Sequence, residues 1–230
     1  MRVAPEKQKL AENIYLILAG IFIASLVSCN LIFQKFFTWS PFGLYTFEIS
    51  VGILPYPITF LVTDLISEVY GAKRADRVVL AGLFASVFVL GVVSLADVAT
   101  ATSWSPVSDA VFSNVFGLTK VSVGASMAAY LVAQFIDIRI FHFWKRVTKG
   151  RHLWLRNNFS TMTSQFVDTC VILLLLCSAG VIDWKLFSGL LLSGFLFKAI
   201  VALLDTPFLY IGTFALQRLF GLKEAEEVDF

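Results

Sequence analysis

The stretch Leu54–Gly71, LPYPITFLVTDLISEVYG, decides how the rest of the chain is read. It is almost wholly apolar, yet it sets Asp64 and Glu68 one helical turn apart, on the same helix face. In water such a pair is an ordinary solvated face. At the centre of a membrane helix each charge costs roughly 2.5–3.5 kcal/mol, so there the pair must turn inward, towards partners, water or a ligand. The solvent around this helix therefore fixes the meaning of its carboxylates.

Composition points to a bilayer. The 230 residues are 58% hydrophobic and 15% charged, with a mean hydropathy of +0.81. Soluble domains run at roughly 45–50% apolar and about 25% charged. A net charge of +2 says little about partners, and no nucleic-acid partner is expected. Cys29, Cys170 and Cys177 sit in apolar runs without zinc-ligand spacing and read as small structural hydrophobes. His142 and His152 fall in a basic loop with no HExxH arrangement. Neither a metal nor a cofactor is expected.

Six stretches approach the roughly 20 apolar residues that a membrane helix needs: 13–33, 53–70, 78–96, 121–138, 159–179 and 186–209. With the N-terminus inside, the cytoplasmic segments carry 14 of the 18 basic residues. They include Arg2, Lys7 and Lys9, then Lys73, Arg74 and Arg77, the run Arg139–Arg156, and finally Arg218 and Lys223. Only Lys35, Lys120 and Lys185 lie outside, and Lys198 is within a span. The positive-inside rule thus gives six crossings with both termini cytoplasmic. The expected fold is all-α: one polytopic membrane domain over 1–230, with cytoplasmic tails at 1–12 and 210–230. Leu26-Val27-Ser28-Cys29 resembles a lipoprotein cleavage box, but the apolar run continues through Phe33, and the first span is expected to be retained. Outside, 34–52 is aromatic-rich (Trp39, Phe42, Tyr45, with Glu48). Residues 97–120 hold a short amphipathic helix marked by Val111, Phe112, Val115 and Phe116.

The spans contain four acids, Asp64, Glu68, Asp168 and Asp205, and the base Lys198. Facing lipid at mid-depth, five such groups would cost on the order of 12–18 kcal/mol, which exceeds or consumes the whole stability of a typical domain, about 5–15 kcal/mol. They are expected to face inward. Thr161, Ser164, Gln165 and Asp168 form one polar stripe, Tyr130, Gln134 and Asp137 another, and Ser25, Ser28 and Asn30 a third. Asp137, beside Arg139, reads equally as an interfacial ion pair. Pro207, just past Asp205, is expected to kink or loosen the sixth helix. Small residues (Gly82, Ala85 and Ser86; Gly124, Ala125 and Ala128) offer faces for packing against another copy or another protein.

The run Tyr56–Asp64, continuing to Glu68-Val69-Tyr70-Gly71, resembles the signature of the queuosine-precursor transporters, earlier catalogued as vitamin uptake transporters. Further matching residues are Ser126, Ala129-Tyr130, Gln134 and Asp137; Arg156-Asn157, Ser160-Thr161, Gln165 and Asp168-Thr169; and Lys198, Thr206-Pro207 and Tyr210. The resemblance covers about residues 14–215, with 34–50 and the tail Glu224-Ala225-Glu226-Glu227 matching least. It implies uptake of 7-cyano- or 7-aminomethyl-7-deazaguanine, with queuine as a further substrate of some members, across the bacterial inner membrane. It also implies a compact six-helix bundle similar to the substrate-binding subunits of energy-coupling-factor importers, and is compatible with a homodimer.

The base presents N1–H and an exocyclic amine on one edge, which a carboxylate accepts together. Asp168 or Asp64 is expected there, completed by Gln165 or Gln134, with Asn30 or Lys198 as further donors. Tyr56, Phe60, Tyr130 or Phe166 would form aromatic walls. Glu68, Lys198, Asp205 and Asp137 are the candidates for coupling or gating. The rival reading is a binding subunit that needs a separate ATP-driven complex. An intramembrane enzyme is disfavoured, since no span holds a histidine or a recognisable nucleophile–base pair.

Overall fold

The computed structural model describes residues 5–33, 35–43, 46–116, 120–180, 182–223 and 226–228, without the side chains of 5, 6, 36, 42, 48, 120–123 and 125. Arg2, Tyr45, Glu224 and Ala225 lie outside the described residues, as do the side chains of Phe42, Glu48, Lys120 and Ala125.

Long helices dominate the order: α1 (Pro5–Ile32), the hairpin strands β1 (Phe36–Trp39) and β2 (Phe47–Ser50), α2 (Tyr56–Val69), α3 (Ala72–Val98), the short α4 (Asp109–Phe116), α5 (Lys120–Val147), α6 (Leu153–Ser178) and α7 (Phe187–Phe220). Among the described residues, five stretches are long and apolar enough to cross a membrane: 7–32, 51–69, 72–98, 153–178 and 184–220. They coincide with five of the six expected spans. The remaining one, 121–138, falls within α5, a helix of 28 residues several of whose side chains lie outside the described set.

The distribution of polarity is inverted relative to a soluble protein. Leu16, Ile17, Phe84, Phe88, Leu95, Ile211 and Phe214 stand out from the bundle, while Asp64, Glu68, Gln134, Asp137, Arg156 and Asp168 are buried within it. An apolar exterior is stable only in an apolar solvent, and the interior then has to satisfy its polar groups itself.

One end of the bundle, here the basic end, collects segments far apart in sequence. Tyr70 Oη donates to the Ala11 carbonyl at 3.0 Å and Tyr15 Oη to the Arg74 carbonyl at 3.2 Å. The C-terminal tail returns there: Val228 N donates to the Val69 carbonyl at 2.8 Å, and Arg74 Nη1 to the Val228 carbonyl at 2.7 Å. Gly71 makes the turn from α2 to α3 with φ +86°, and a Cβ there would run into the Glu227 carboxylate.

At the opposite end the aromatic stretch is not a loop but a hairpin, with Phe36 opposite Ser50 and Trp39 opposite Phe47. Trp39 and Phe47 both meet Phe197 of α7, with ring centroids 5.6 Å apart. The expected amphipathic helix is α4, tied to the end of α3 by Ser113 donating to Asp97 at 2.5 Å.

Other expectations need correction. α7 is one helix from Phe187 to Phe220 with Pro207 inside it, so Pro207 does not end the helix and 210–220 is helical. His142 is on α5, not in a loop. Gly82 does not present a free face: a Cβ there would lie 2.6 Å from Phe22 Cε1 and 2.9 Å from Leu26 Cδ2, so α1 already packs on it. Gly124 and Ala128 on α5 do remain exposed.

Candidate functional site

The helical repeat builds the site as a column. Tyr56, Phe60, Asp64 and Glu68 recur every fourth residue on one face of α2, about 6 Å apart along the axis. Along α6 the partners climb in the opposite sense, so that Glu68 meets Arg156, Asp64 meets Thr161 and Tyr56 meets Asp168.

The layer nearest the basic end is an ion cluster. Arg156 donates to both Glu68 oxygens, at 2.8 and 3.1 Å, and to the Gly150 carbonyl at 3.1 Å. Lys145 Nζ lies 3.4 Å from Glu68 and 3.0 Å from Glu227. Arg156 is 0% and Glu68 1% exposed, so their charges are balanced inside the protein rather than by solvent. The sequence reading counted Arg156 and Lys145 as inside cations, and Arg156 also among the family's matching residues, but gave neither a place beside Glu68. The missed signal was charge balance, since a buried Glu68 needs a buried cation.

One turn further in stand two more buried acids, Asp64 and Asp137, each beside a hydroxyl of α6. Thr161 donates to Asp64 at 3.4 Å and Ser164 to Asp137 at 3.0 Å. Arg139 does not pair with Asp137; it forms its ion pair with Asp76 at 2.9 Å, which sets aside the interfacial pair expected for Asp137. Above these acids, Thr63 donates to Gln134 Oε1 at 3.2 Å, and Gln134 Nε2 donates to Tyr130 Oη at 2.6 Å.

The top layer is Tyr56, Asp168 and Lys198. Lys198 Nζ lies 2.5 Å from Asp168 Oδ2 and 4.9 Å from the centroid of the Tyr56 ring. Tyr56 Oη donates to the same Oδ2 at 2.9 Å. Asp168 Oδ1 has no protein donor among the described residues.

Over this layer opens a cavity of about 320 Å³, within the size range of small-molecule sites. Tyr56, Tyr130, Asp168 and Lys198 form its base, and Asn30, Ser50, Ser86 and Ser126 are the polar groups among otherwise mainly apolar walls. The Tyr56 and Tyr130 rings stand 6.1 Å apart, edge to face. Cys29, read from sequence as purely structural, is part of the wall.

The structure therefore gathers Asn30, Tyr56, Tyr130, Asp168 and Lys198 of the expected residues around one cavity. Phe60, Gln165 and Asp205 line a smaller one beneath it. Asp64, Gln134, Asp137 and Glu68 line neither and stand in the column below. Phe166 is turned outward, packed against Phe195 with centroids 5.5 Å apart.

Comparison with known proteins agrees with these observations. A family model described as "Putative vitamin uptake transporter" matches residues 50–212. A Bacillus subtilis protein named "Probable queuosine precursor transporter" is 30% identical over 172 residues, which cover 73% of this chain and 72% of that protein. The Escherichia coli "Queuosine precursor transporter" is 27% identical over 129 residues, 56% of this chain and 55% of the relative. A Haemophilus influenzae relative is 26% identical, and the match spans about half of its length, 51%. No solved structure matches the chain. With a family match over most of its length and a relative aligned across nearly three quarters of both chains, this chain belongs to the queuosine precursor transporter family.

Proposed function

We propose that this chain takes up queuosine precursors, 7-cyano-7-deazaguanine and 7-aminomethyl-7-deazaguanine, across the bacterial inner membrane. It does so as a single membrane domain of six spans, α5 being the sixth, with both termini and the basic end cytoplasmic. The observation that carries the reading is Asp168 Oδ1, a carboxylate oxygen without a protein donor among the described residues, at the base of a cavity walled by two tyrosines. The N1–H and amine edge of a deazaguanine supplies the missing donors, and charge-assisted bonds of this kind are about twice as strong as neutral ones. Tyr56 and Tyr130 offer their rings to the flat heterocycle, and Asn30 offers both a donor and an acceptor to its remaining polar atoms.

Lys198 has a second part in this reading. With the cavity empty it neutralises Asp168, which would otherwise be a charge at membrane depth. An incoming base competes for that carboxylate and frees the lysine, so arrival of substrate is felt directly by α7.

The test is uptake of labelled 7-cyano-7-deazaguanine by bacteria lacking their own route, with this chain as the only added protein. Accumulation above the empty-vector control supports a self-sufficient transporter of these bases. Accumulation that appears only when an ATP-driven energising complex is co-expressed makes the chain a binding subunit. No accumulation in either case removes the substrate assignment.

A further inference from the structure

Beneath the cavity lies a second chamber whose walls include Thr161, Gln165 and Asp205. Ile53, Tyr56 and Lys198 line both spaces, so the two are stacked with the Tyr56–Lys198–Asp168 layer between them. At about 20 Å³ the lower chamber has room for roughly one water and not for a base. It is nevertheless not built as packed core. Gln165 is 3% exposed and its Oε1 has no hydrogen-bond donor among the described residues. No hydrogen bond to Asp205 is found among the described residues, although it too lines the chamber. Leaving a buried acceptor unsatisfied costs about 1–3 kcal/mol, an outlay that packing alone does not explain.

Both are acceptors. A molecule that satisfies them together must present two donors side by side: a single water does so at the chamber's present size, and the N–H edge that the proposed substrate also offers to Asp168 does so once the chamber is wider. We propose that the lower chamber is a second station for the same base, closed in this conformation, in which Gln165 and Asp205 receive the N–H edge as Asp168 releases it. This inference rests on the substrate reading above and adds a direction to it: the base descends from the hairpin end, past Tyr56 and Lys198, towards the basic end.

The chamber opens by movement of α7. That helix supplies Phe197, Lys198, Val201, Ala202 and Asp205 to the wall. It also carries Pro207, which cannot donate to the carbonyl of Leu203 and so weakens the helix next to the chamber. Phe197 touches Trp39 and Phe47 of the hairpin. A shift of α7 that widens the lower chamber is therefore passed to the hairpin, whose Ser50 lines the upper one. The two chambers are thereby coupled through one helix.

The experiment compares equilibrium binding with uptake for the full-length chain, using 7-cyano-7-deazaguanine as the probe. The variants are Gln165→Met, Asp205→Asn and Asp168→Asn, with Asp205→Glu as the conservative control. If the stations are in series, Asp168→Asn weakens binding by about tenfold or more. Gln165→Met and Asp205→Asn bind within about threefold of the unmodified protein but take up the base at least about tenfold more slowly. Asp205→Glu, which keeps the acceptor, recovers most of the uptake.

The inference is overturned if Gln165→Met and Asp205→Asn lose binding as far as Asp168→Asn does while remaining folded by thermal unfolding, because the two chambers then act as one site. It is equally overturned if both variants take up the base normally. Failure of the unmodified protein to bind any deazapurine removes the substrate reading and the second station with it.

Discussion

Two buried carboxylates one turn apart on α2 have different fates. Glu68 is held by Arg156 and Lys145, whereas Asp64 has the Thr161 hydroxyl beside it. Removing the guanidinium alone leaves Glu68 with only the more distant lysine. Arg156→Met is expected to lower stability by about 3–5 kcal/mol, read as the shift in thermal unfolding in detergent, and Glu68→Gln added to it should restore part of the loss. At the top of the column, Tyr56→Phe keeps the ring and removes one donor to Asp168. Because that donor competes with substrate as well as orienting the carboxylate, affinity is expected to change by no more than about tenfold in titrations of the purified protein. The sequence singled out Asp168 and Lys198 because charged groups deep in a membrane must turn inward, but it did not say which of the four acids meets the one base. It did not separate Asp64 from Asp168, since spacing along a helix reports a face and says nothing of what stands opposite. Arg156 was hidden for a related reason: a long cation near a helix start normally reaches out to the interface.

At the scale of elements, the helices follow from apolar length and the hairpin does not. Phe36-Phe37-Thr38-Trp39 and Phe47-Glu48-Ile49-Ser50 are too short and too weakly alternating to stand out from an aromatic interfacial loop. Their pairing is supported instead by contact with Phe197, a long-range fact that local sequence does not carry. Gly82 makes the same point for helix packing. A small residue in a membrane helix announces close approach without naming the neighbour, and the neighbour is α1 rather than a second protein. Gly82→Leu is therefore expected to destabilise the chain by about 1–3 kcal/mol through overpacking against Phe22 and Leu26. Gly124→Leu, with no described atom within 4 Å of its added Cβ, should be nearly neutral in the same thermal assay.

For the whole molecule, the basic residues and the tail gather at one end and the hairpin and α4 lie at the other, the asymmetry read from lysine and arginine positions alone. What that asymmetry could not reveal is the tail itself. The acidic segment that resembled the family least is where Glu227 reaches Lys145 and Val228 enters the core. Orientation is open to direct measurement after replacement of Cys29, Cys170 and Cys177. A cysteine at Ser103, in the α3–α4 connection, is expected to react with a membrane-impermeant maleimide on intact cells, and one at Arg151 only after the membrane is opened. The reverse pattern would invert the proposed topology.

Substrate recognition is the central claim, and equilibrium binding to the purified chain tests it most directly. The unmodified protein should bind 7-cyano- and 7-aminomethyl-7-deazaguanine saturably and in preference to guanine and adenine, with affinity falling about tenfold or more in Asp168→Asn. Selective binding that survives Asp168→Asn unchanged would contradict the proposed role of that carboxylate, and absence of binding to either deazaguanine would contradict the substrate class.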